Sequence, residues 1–382
     1  MIRRYLFWAH LGVGIASGAV VFVLCLTGAI LAFELQLVNF AERDGRARPA
    51  QAGAELRTPQ ELAALVPLAA GERIVSLEWS ADPGMPVRAS TDRRNVVLLN
   101  GYTGALLGPG AMNLRAFMRW ITAVHVDLCA QLTGQWAVAL ANVGLVFLIT
   151  SGLWLWWPRQ WRWRAFRQAM VPRLALSGKA RDWNWHTTLG FWFLLPLLAL
   201  AASGLVLSFP PVDRWWRGFA AAHLLDAAAP VAAVAVVADR PSPATTWSQW
   251  LALIGERDPG WCSLVLRGDG APNPAGIWSC TVNSGTSRQR LAAVTMRLDT
   301  AHGQILEERR WANDDAPSRA RAIARLGHSG EILGTTGQAL AFIACLAGMV
   351  IVYTGFALSW RRFFKTRQAP TGSSGPPPAA AG

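Results

Sequence analysis

The chain of 382 residues has only six histidines, three tyrosines and five cysteines, and charged side chains make up 15% of it. Its cysteines form no Cys-x-x-Cys-His run, which excludes a c-type covalent cofactor attachment. No Gly-x-Gly-x-x-Gly follows a strand pattern, so the chain carries no flavin or nicotinamide fingerprint of its own. No catalytic triad and no metal-binding cluster stands out in the loops. The net charge of +13 is unevenly spread, which argues for membrane topology and against nucleic acid as a partner. Arg3 and Arg4 precede the first apolar run. Seven basic residues from Arg159 to Arg181 lie between the second and third, and Arg361, Arg362, Lys365 and Arg367 follow the fourth.

What is abundant is apolar surface: 52% hydrophobic residues, 20 tryptophans and a mean hydropathy of +0.26. Four apolar runs, near 6–33, 136–157, 189–209 and 339–360, approach the ~20 residues that cross a bilayer core. The first is too long for an ordinary signal-peptide core and is read as a retained anchor. The expected plan is a membrane all-α four-helix bundle with two outer α+β modules and an internal parallel duplication. Helix 1 occupies 1–33 and the first outer module 34–113. An interfacial segment and helix 2 occupy 114–158, and a basic inner loop 159–185. Helix 3 takes 186–210, the second outer module 211–325, and an interfacial segment with helix 4 takes 326–362. The tail, 363–382, rich in Pro, Gly, Ser and Ala, is expected to be disordered. The basic residues place both termini and the middle loop of a multi-pass membrane protein in the cytoplasm. Within the modules, Thr58 and Glu61 form a capping-box pattern. Strands are expected at 73–79, 86–90, 95–99, 261–267, 276–283, 293–298 and 304–310, and a helix at 246–254.

Four of the six histidines occur in duplicated contexts. His10 precedes Thr27-Gly28 as His186 precedes Ser203-Gly204, each glycine 18 residues on. His125 precedes Thr133-Gly134-Gln135, Gly152 and Trp157, and His328 precedes Thr336-Gly337-Gln338, Gly355 and Trp360, at identical offsets. His10 and His186 therefore belong at one depth and His125 and His328 at another. Two bis-histidine b-type haems would need such an arrangement. The plainer reading is that histidines favour interfaces and hold nothing. Glycines flanking the inner histidines either admit a flat macrocycle or mediate ordinary helix packing. Arg181, Arg119 and Arg325 are candidate partners for haem propionates or simple membrane-surface charges. His223 and His302 lack repeat partners and default to structural roles. Cys25, Cys345 and Cys129 read as packing residues. Cys262 and Cys280 share the second outer loop, with a disulfide there left open.

These residues resemble the PepSY-associated transmembrane family, through Arg3-Arg4…His10…Thr27-Gly28, Ser151-Gly152-Leu-Trp-Leu-Trp-Trp157-Pro158-Arg159, Asp182…His186…Ser203-Gly204…Phe209-Pro210 and His328…Gly355…Trp360-Arg361-Arg362. The family includes iron-regulated inner-membrane proteins and ferric-siderophore reductases with b haems. The resemblance implies two b haems on His10, His186, His125 and His328, with electrons passing to siderophore-bound iron in the periplasm. The electron donor would be a cytoplasmic reductase or a membrane quinol. Two other classes stay open: a membrane-anchored PepSY module that binds a peptide or protein without redox activity, and a transporter of iron or siderophore.

Overall fold

The computed structural model describes residues 1–364 apart from 50, 52, 158–162, 164–169, 226–246, 268–276, 285–292 and 300–303. The expected disordered tail (from residue 365), all but the first residue of a turn expected from Asp299 to Gly303, His302 and most of the basic middle loop lie outside the described residues.

The chain opens with α1 (Ile2–Leu31) and α2 (Glu34–Glu42), then α3 (Pro59–Ala64) and strands β1 (Ile74–Ser80), β2 (Val87–Thr91), β3 (Val96–Leu99) and β4 (Leu106–Pro109). Helices α4 (Met112–Asp127), α5 (Gln131–Trp156), α6 (Gly178–Trp192), α7 (Leu194–Ser208) and α8 (Pro210–His223) follow. The last part holds α9 (Trp247–Arg257), β5 (Trp261–Arg267), β6 (Ile277–Ser284), β7 (Val294–Asp299), β8 (Gln304–Arg310), α10 (Ala316–Ser329) and α11 (Gly334–Phe363).

Among the described residues, three helical stretches, Ile2–Glu42, Gln131–Trp156 and Glu331–Phe363, are long and apolar enough to cross a bilayer. Counting α6 and α7 as one span gives a fourth, but that span is bent by 68°. The helix expected at 186–210 thus falls on a bent pair of helices, broken at Phe193. The cause is local: Pro196 lacks the N–H that would bond to Trp192 O, and its ring clashes with that carbonyl. The spans pack through small residues, with Gly144 against Ser17 and Gly348 against Cys25. A shared core of Val21, Cys25, Ala29, Ala141 and Cys345 lies between them.

The two outer modules are joined in one sheet, ordered β4-β3-β2-β1-β5-β6-β7-β8 and antiparallel throughout. The seam is the pairing of β1 with β5, from Ser76 opposite Arg267 to Ser80 opposite Ser263. Period-two alternation decides what each face does. Leu77, Trp79, Leu264, Leu266, Cys280 and Val282 point to one face and are buried beneath α3 and α9. Their alternates Ser76, Glu78, Arg267 and Thr281 point the other way, toward the helices. The Thr58–Glu61 capping box starts α3 as its sequence pattern requires. Cys262 and Cys280 are both free. Cys280 is paired in register with Leu266 and faces the core, while Cys262 Sγ bonds to Asn283 O at 3.2 Å.

His125 and His328 do not ride on the spanning helices. Each sits at the end of a separate helix, α4 or α10, that folds back toward the bundle. Leu128, Cys129 and Gln131 take left-handed φ values of 53°, 56° and 51° to make the first return. Gly330, at φ 76°, makes the second. The two Thr-Gly-Gln motifs lie where each return packs on the following span. A Cβ at Gly134 would stand 1.6 Å from Asp127 O, and one at Gly337 2.1 Å from Gly330 O. Only glycine permits that approach.

Candidate functional site

The structure brings His10 to His186, with ring centres 6.5 Å apart, and His125 to His328, at 6.0 Å. Each pair takes one histidine from each half of the chain. The second pair lies on the sheet side of the bundle and the first on the far side. His125 bonds to Thr27 and His10 precedes Thr27 by 17 residues of unbroken α1, so the levels differ by about 26 Å of helix. That is most of the ~30 Å thickness of a bilayer core.

All four imidazoles are held in the same way. A serine or threonine on a neighbouring helix bonds Nδ1, and the glycine that follows it lies against the ring edge. His10 Nδ1 is 2.8 Å from Ser151 Oγ, and Gly152 faces its Cε1. His125 Nδ1 is 2.8 Å from Thr27 Oγ1, over Gly28. His328 Nδ1 is 3.1 Å from both Ser203 Oγ and Leu200 O, over Gly204. His186 Nδ1 is 3.0 Å from Ile351 O and 3.3 Å from Thr354 Oγ1, over Gly355.

These contacts fix the tautomer. Each hydroxyl spends its hydrogen on a carbonyl one turn back in its own helix: Ser151 on Phe147, Thr27 on Val23, Ser203 on Ala199, Thr354 on Val350. Its oxygen is then left to accept, so the histidine donates from Nδ1–H. For His186 and His328 the backbone carbonyls demand the same. Nε2 is thereby the nitrogen without hydrogen in each neutral ring, and among the described residues no protein group bonds it. Fixing one ring nitrogen so that the other can bind a metal is the usual role of partners behind histidine ligands.

A metal ion takes an imidazole nitrogen at about 2 Å, and with a ring radius of about 1 Å two imidazoles on one ion have centres about 6 Å apart. The ring separations of 6.0 and 6.5 Å fit that spacing. Among the described residues, no group of three or more His, Cys, Asp and Glu could hold a metal ion. A site made by these pairs alone must draw its remaining ligands from a non-protein group, as a porphyrin supplies them.

The sheet-side pair opens into a chamber of about 1390 Å³ between the helices and the polar face of the sheet. On α1 its lining reaches no lower than Val21, so it stops short of the His10 level. Buried carboxylates fasten the helices that carry this pair. Glu42 is gripped by Arg88 and by Arg115 of α4, with contacts of 2.6 to 2.7 Å. Asp213 is paired with Arg217 and with Arg321 of α10. On the far side, fully buried Asp182 bonds Arg181 and Arg361, one turn before His186. Of the three arginines considered for propionates, Arg181 is thus committed to Asp182. Arg119 lies on the exposed side of α4, and Arg325 lines the chamber beside His328. His223 packs tilted against Phe219, at 5.0 Å between ring centres. Reading the sequence missed the four hydroxyl–glycine cradles as imidazole seats, although the Ser/Thr-Gly dipeptides were there to see. It also missed Asn142, a buried amide in the chamber wall.

Membrane-length helices beneath a sheet-rich outer unit define a multi-pass membrane protein. The family model of the PepSY-associated TM region matches residues 7–362, and the chain belongs to that family. No curated protein matches the chain.

Proposed function

We propose that this protein holds two b-type haems, one between His10 and His186 and one between His125 and His328, and carries electrons across the bacterial inner membrane to a ferric siderophore in the periplasm. The observation that carries the proposal is the common state of the four histidines: paired at metal-bridging distance, Nδ1 occupied, Nε2 free. A haem held by two of these imidazoles would supply single-electron exchange and would leave no place for oxygen to bind. The chain's residues hold the rings edge-on against glycines, fix their tautomers and keep the two sites at opposite faces of the bilayer. The far-side face carries Arg3, Arg4, Arg361 and Arg362, which supports a cytoplasmic assignment and a donor there, a reductase or a membrane quinol. The chamber gives a polar acceptor a way to the sheet-side pair, and Fe²⁺ is held more weakly than Fe³⁺ by hard-oxygen chelators. We further read the membrane part as a four-helix bundle of two parallel repeats. The matched histidine offsets and a strand order symmetric about the β1–β5 seam support this.

Haem content by pyridine haemochrome on folded, full-length protein tests the reading, with two haems per chain expected. His10→Ala and His186→Ala should remove one haem, His125→Ala and His328→Ala the other. Loss of the same haem from His10→Ala and His125→Ala would overturn the pairing. Folded protein that is active in its host without haem would favour the second reading, a PepSY module that binds a peptide or protein above an inert anchor. The chamber's size gives that reading a binding place. The broken α6–α7 span is a feature that a transporter shares, but the chamber's lining does not continue to the far side.

A further inference from the structure

We propose that the chamber is a receptor for a multiply anionic, polycarboxylate metal chelate, gripped between Arg267 of the sheet and Arg325 of α10. This refines the acceptor in the proposed function and rests on that reading only for the metal. At about 1390 Å³ the chamber exceeds the ~300–1,000 Å³ of common ligand pockets. Seven arginines and five carboxylates line it. Five of the arginines are committed: Arg88 and Arg115 to Glu42, Arg321 to Asp213, Arg309 to Asp314, and Arg310 to Glu308. Among the described residues, the side chains of Arg267 and Arg325 make no hydrogen bond or ion pair. They stand on opposite walls, Arg267 at the sheet seam and Arg325 one turn before His328. Planar guanidinium forks recognise carboxylates bidentately. Between them the sheet presents Ser76, Thr281 and Thr295 as hydroxyl donors. Deeper in the wall, Asn142 is 7% exposed, and among the described residues its amide makes no hydrogen bond, so it too is available to a ligand.

Carboxylates could reach these arginines from two sources, an external chelate or the propionates of the sheet-side haem, and the experiment separates them. Gallium(III) citrate and a neutral gallium(III) trihydroxamate are titrated calorimetrically into full-length detergent-solubilised protein, wild type, Arg267→Gln and Arg325→Gln. Haem content is measured on each sample. We expect gallium citrate to bind wild type, about tenfold or more weakly to each variant, and more weakly still as salt shortens the Debye length from ~10 to ~3 Å. The trihydroxamate should respond to neither variant, and both variants should keep wild-type haem content. Neither side chain makes a structural bond, so both variants should also elute as wild type does. The proposal is overturned if gallium citrate does not bind, or binds wild type and variants alike. It is overturned too if Arg325→Gln loses haem while gallium citrate binding is unchanged, which would assign that arginine to a propionate. Haem-free protein that binds gallium citrate would remove the electron-transfer reading and leave the chamber proposal standing. Haem-loaded protein that ignores gallium citrate would do the reverse.

Discussion

Valine at any one of the four cradle glycines should cost the protein one haem, and which haem is lost should follow the neighbouring helix and not the glycine's own. A Cβ at Gly152 would lie 3.4 Å from His10 Cε1, and one at Gly355 3.3 Å from His186 Cε1. At Gly28 it would lie 3.4 Å from His125 Cε1 and 3.3 Å from Cys345 Sγ, and at Gly204 3.3 Å from His328 Cε1. Carbon–carbon contacts settle at ~3.5–4.0 Å. Alanine therefore asks the ring to give by a few tenths of an ångström while recovering ~1 kcal/mol of helix propensity, and should be nearly neutral. Valine adds branches about 1.5 Å beyond Cβ. The imidazole must then swing by more than the ~0.5 Å that a functional site tolerates. Pyridine haemochrome and the reduced α-band of the four valine variants form the assay. Stoichiometry should fall from about two to about one in each. Gly152→Val and Gly355→Val should lose the far-side haem, and Gly28→Val and Gly204→Val the sheet-side one. Gly28 shares α1 with His10 yet should spare the haem that His10 holds. If Gly28→Val removes the haem that His10→Ala removes, or if all four variants keep both haems, the cradle argument is wrong.

Ser151→Ala should weaken haem retention by about 10–100-fold without abolishing folding, because Nδ1 of His10 loses its fixed acceptor; transfer of haem to a scavenger protein measures this, and an unchanged transfer rate counts against it. Glu42→Gln leaves Arg88 and Arg115 facing a neutral amide in a buried site, and should destabilise by about 3–5 kcal/mol, seen as a lower thermal midpoint by tryptophan fluorescence. Maleimide should label exposed Cys129 readily and leave Cys280 untouched in native protein, since burial pushes the Cys280 thiol up to about 12; comparable labelling of both would refute its core position. Hydrogen bonds from the Thr91 hydroxyl, the Asn95 amide and the Ala69 N–H hold the Glu72 carboxyl below its ordinary range. Its contribution is full above the ordinary carboxyl value and is lost as pH falls through the lowered one. Thr91→Val should therefore differ from wild type in melting temperature near neutral pH, and the gap should close on acidification.

The meeting of His10 with His186, and of His125 with His328, was legible because helical rise turns equal offsets into equal depths. Their role as ligands is a separate proposal. β5 and β8 fall at the spans that alternation marks, 261–267 and 304–310. Other features were hidden for physical reasons. The break at Phe193 comes from one proline inside an apolar run that otherwise reads as continuous. The return after α4 depends on left-handed φ at Leu128, Cys129 and Gln131, residues that seldom adopt it, so nothing in their identity announces a turn. That two modules would share one sheet is decided by edge pairing between strands 181 or more residues apart, which local pattern cannot see. The hydroxyl–glycine seats are likewise contacts between helices, visible only once the helices are side by side.

The cradles also set the order in which the protein can be finished during synthesis. The sheet-side pair needs Thr27, His125, Ser203 and His328, so all its parts exist once residue 328 has been made. The far-side pair needs His10, Ser151, His186 and, from α11, Ile351 and Thr354. It contains the earliest histidine in the chain and is nevertheless the last to be completed. At ~5–20 residues per second, His10 waits for roughly 20–70 s before its partner is fully held. A ribosome that stops short of the last span leaves the sheet-side seats built and His186 without either of its Nδ1 acceptors. The final helix is thus the keystone of the site farthest from the sheet.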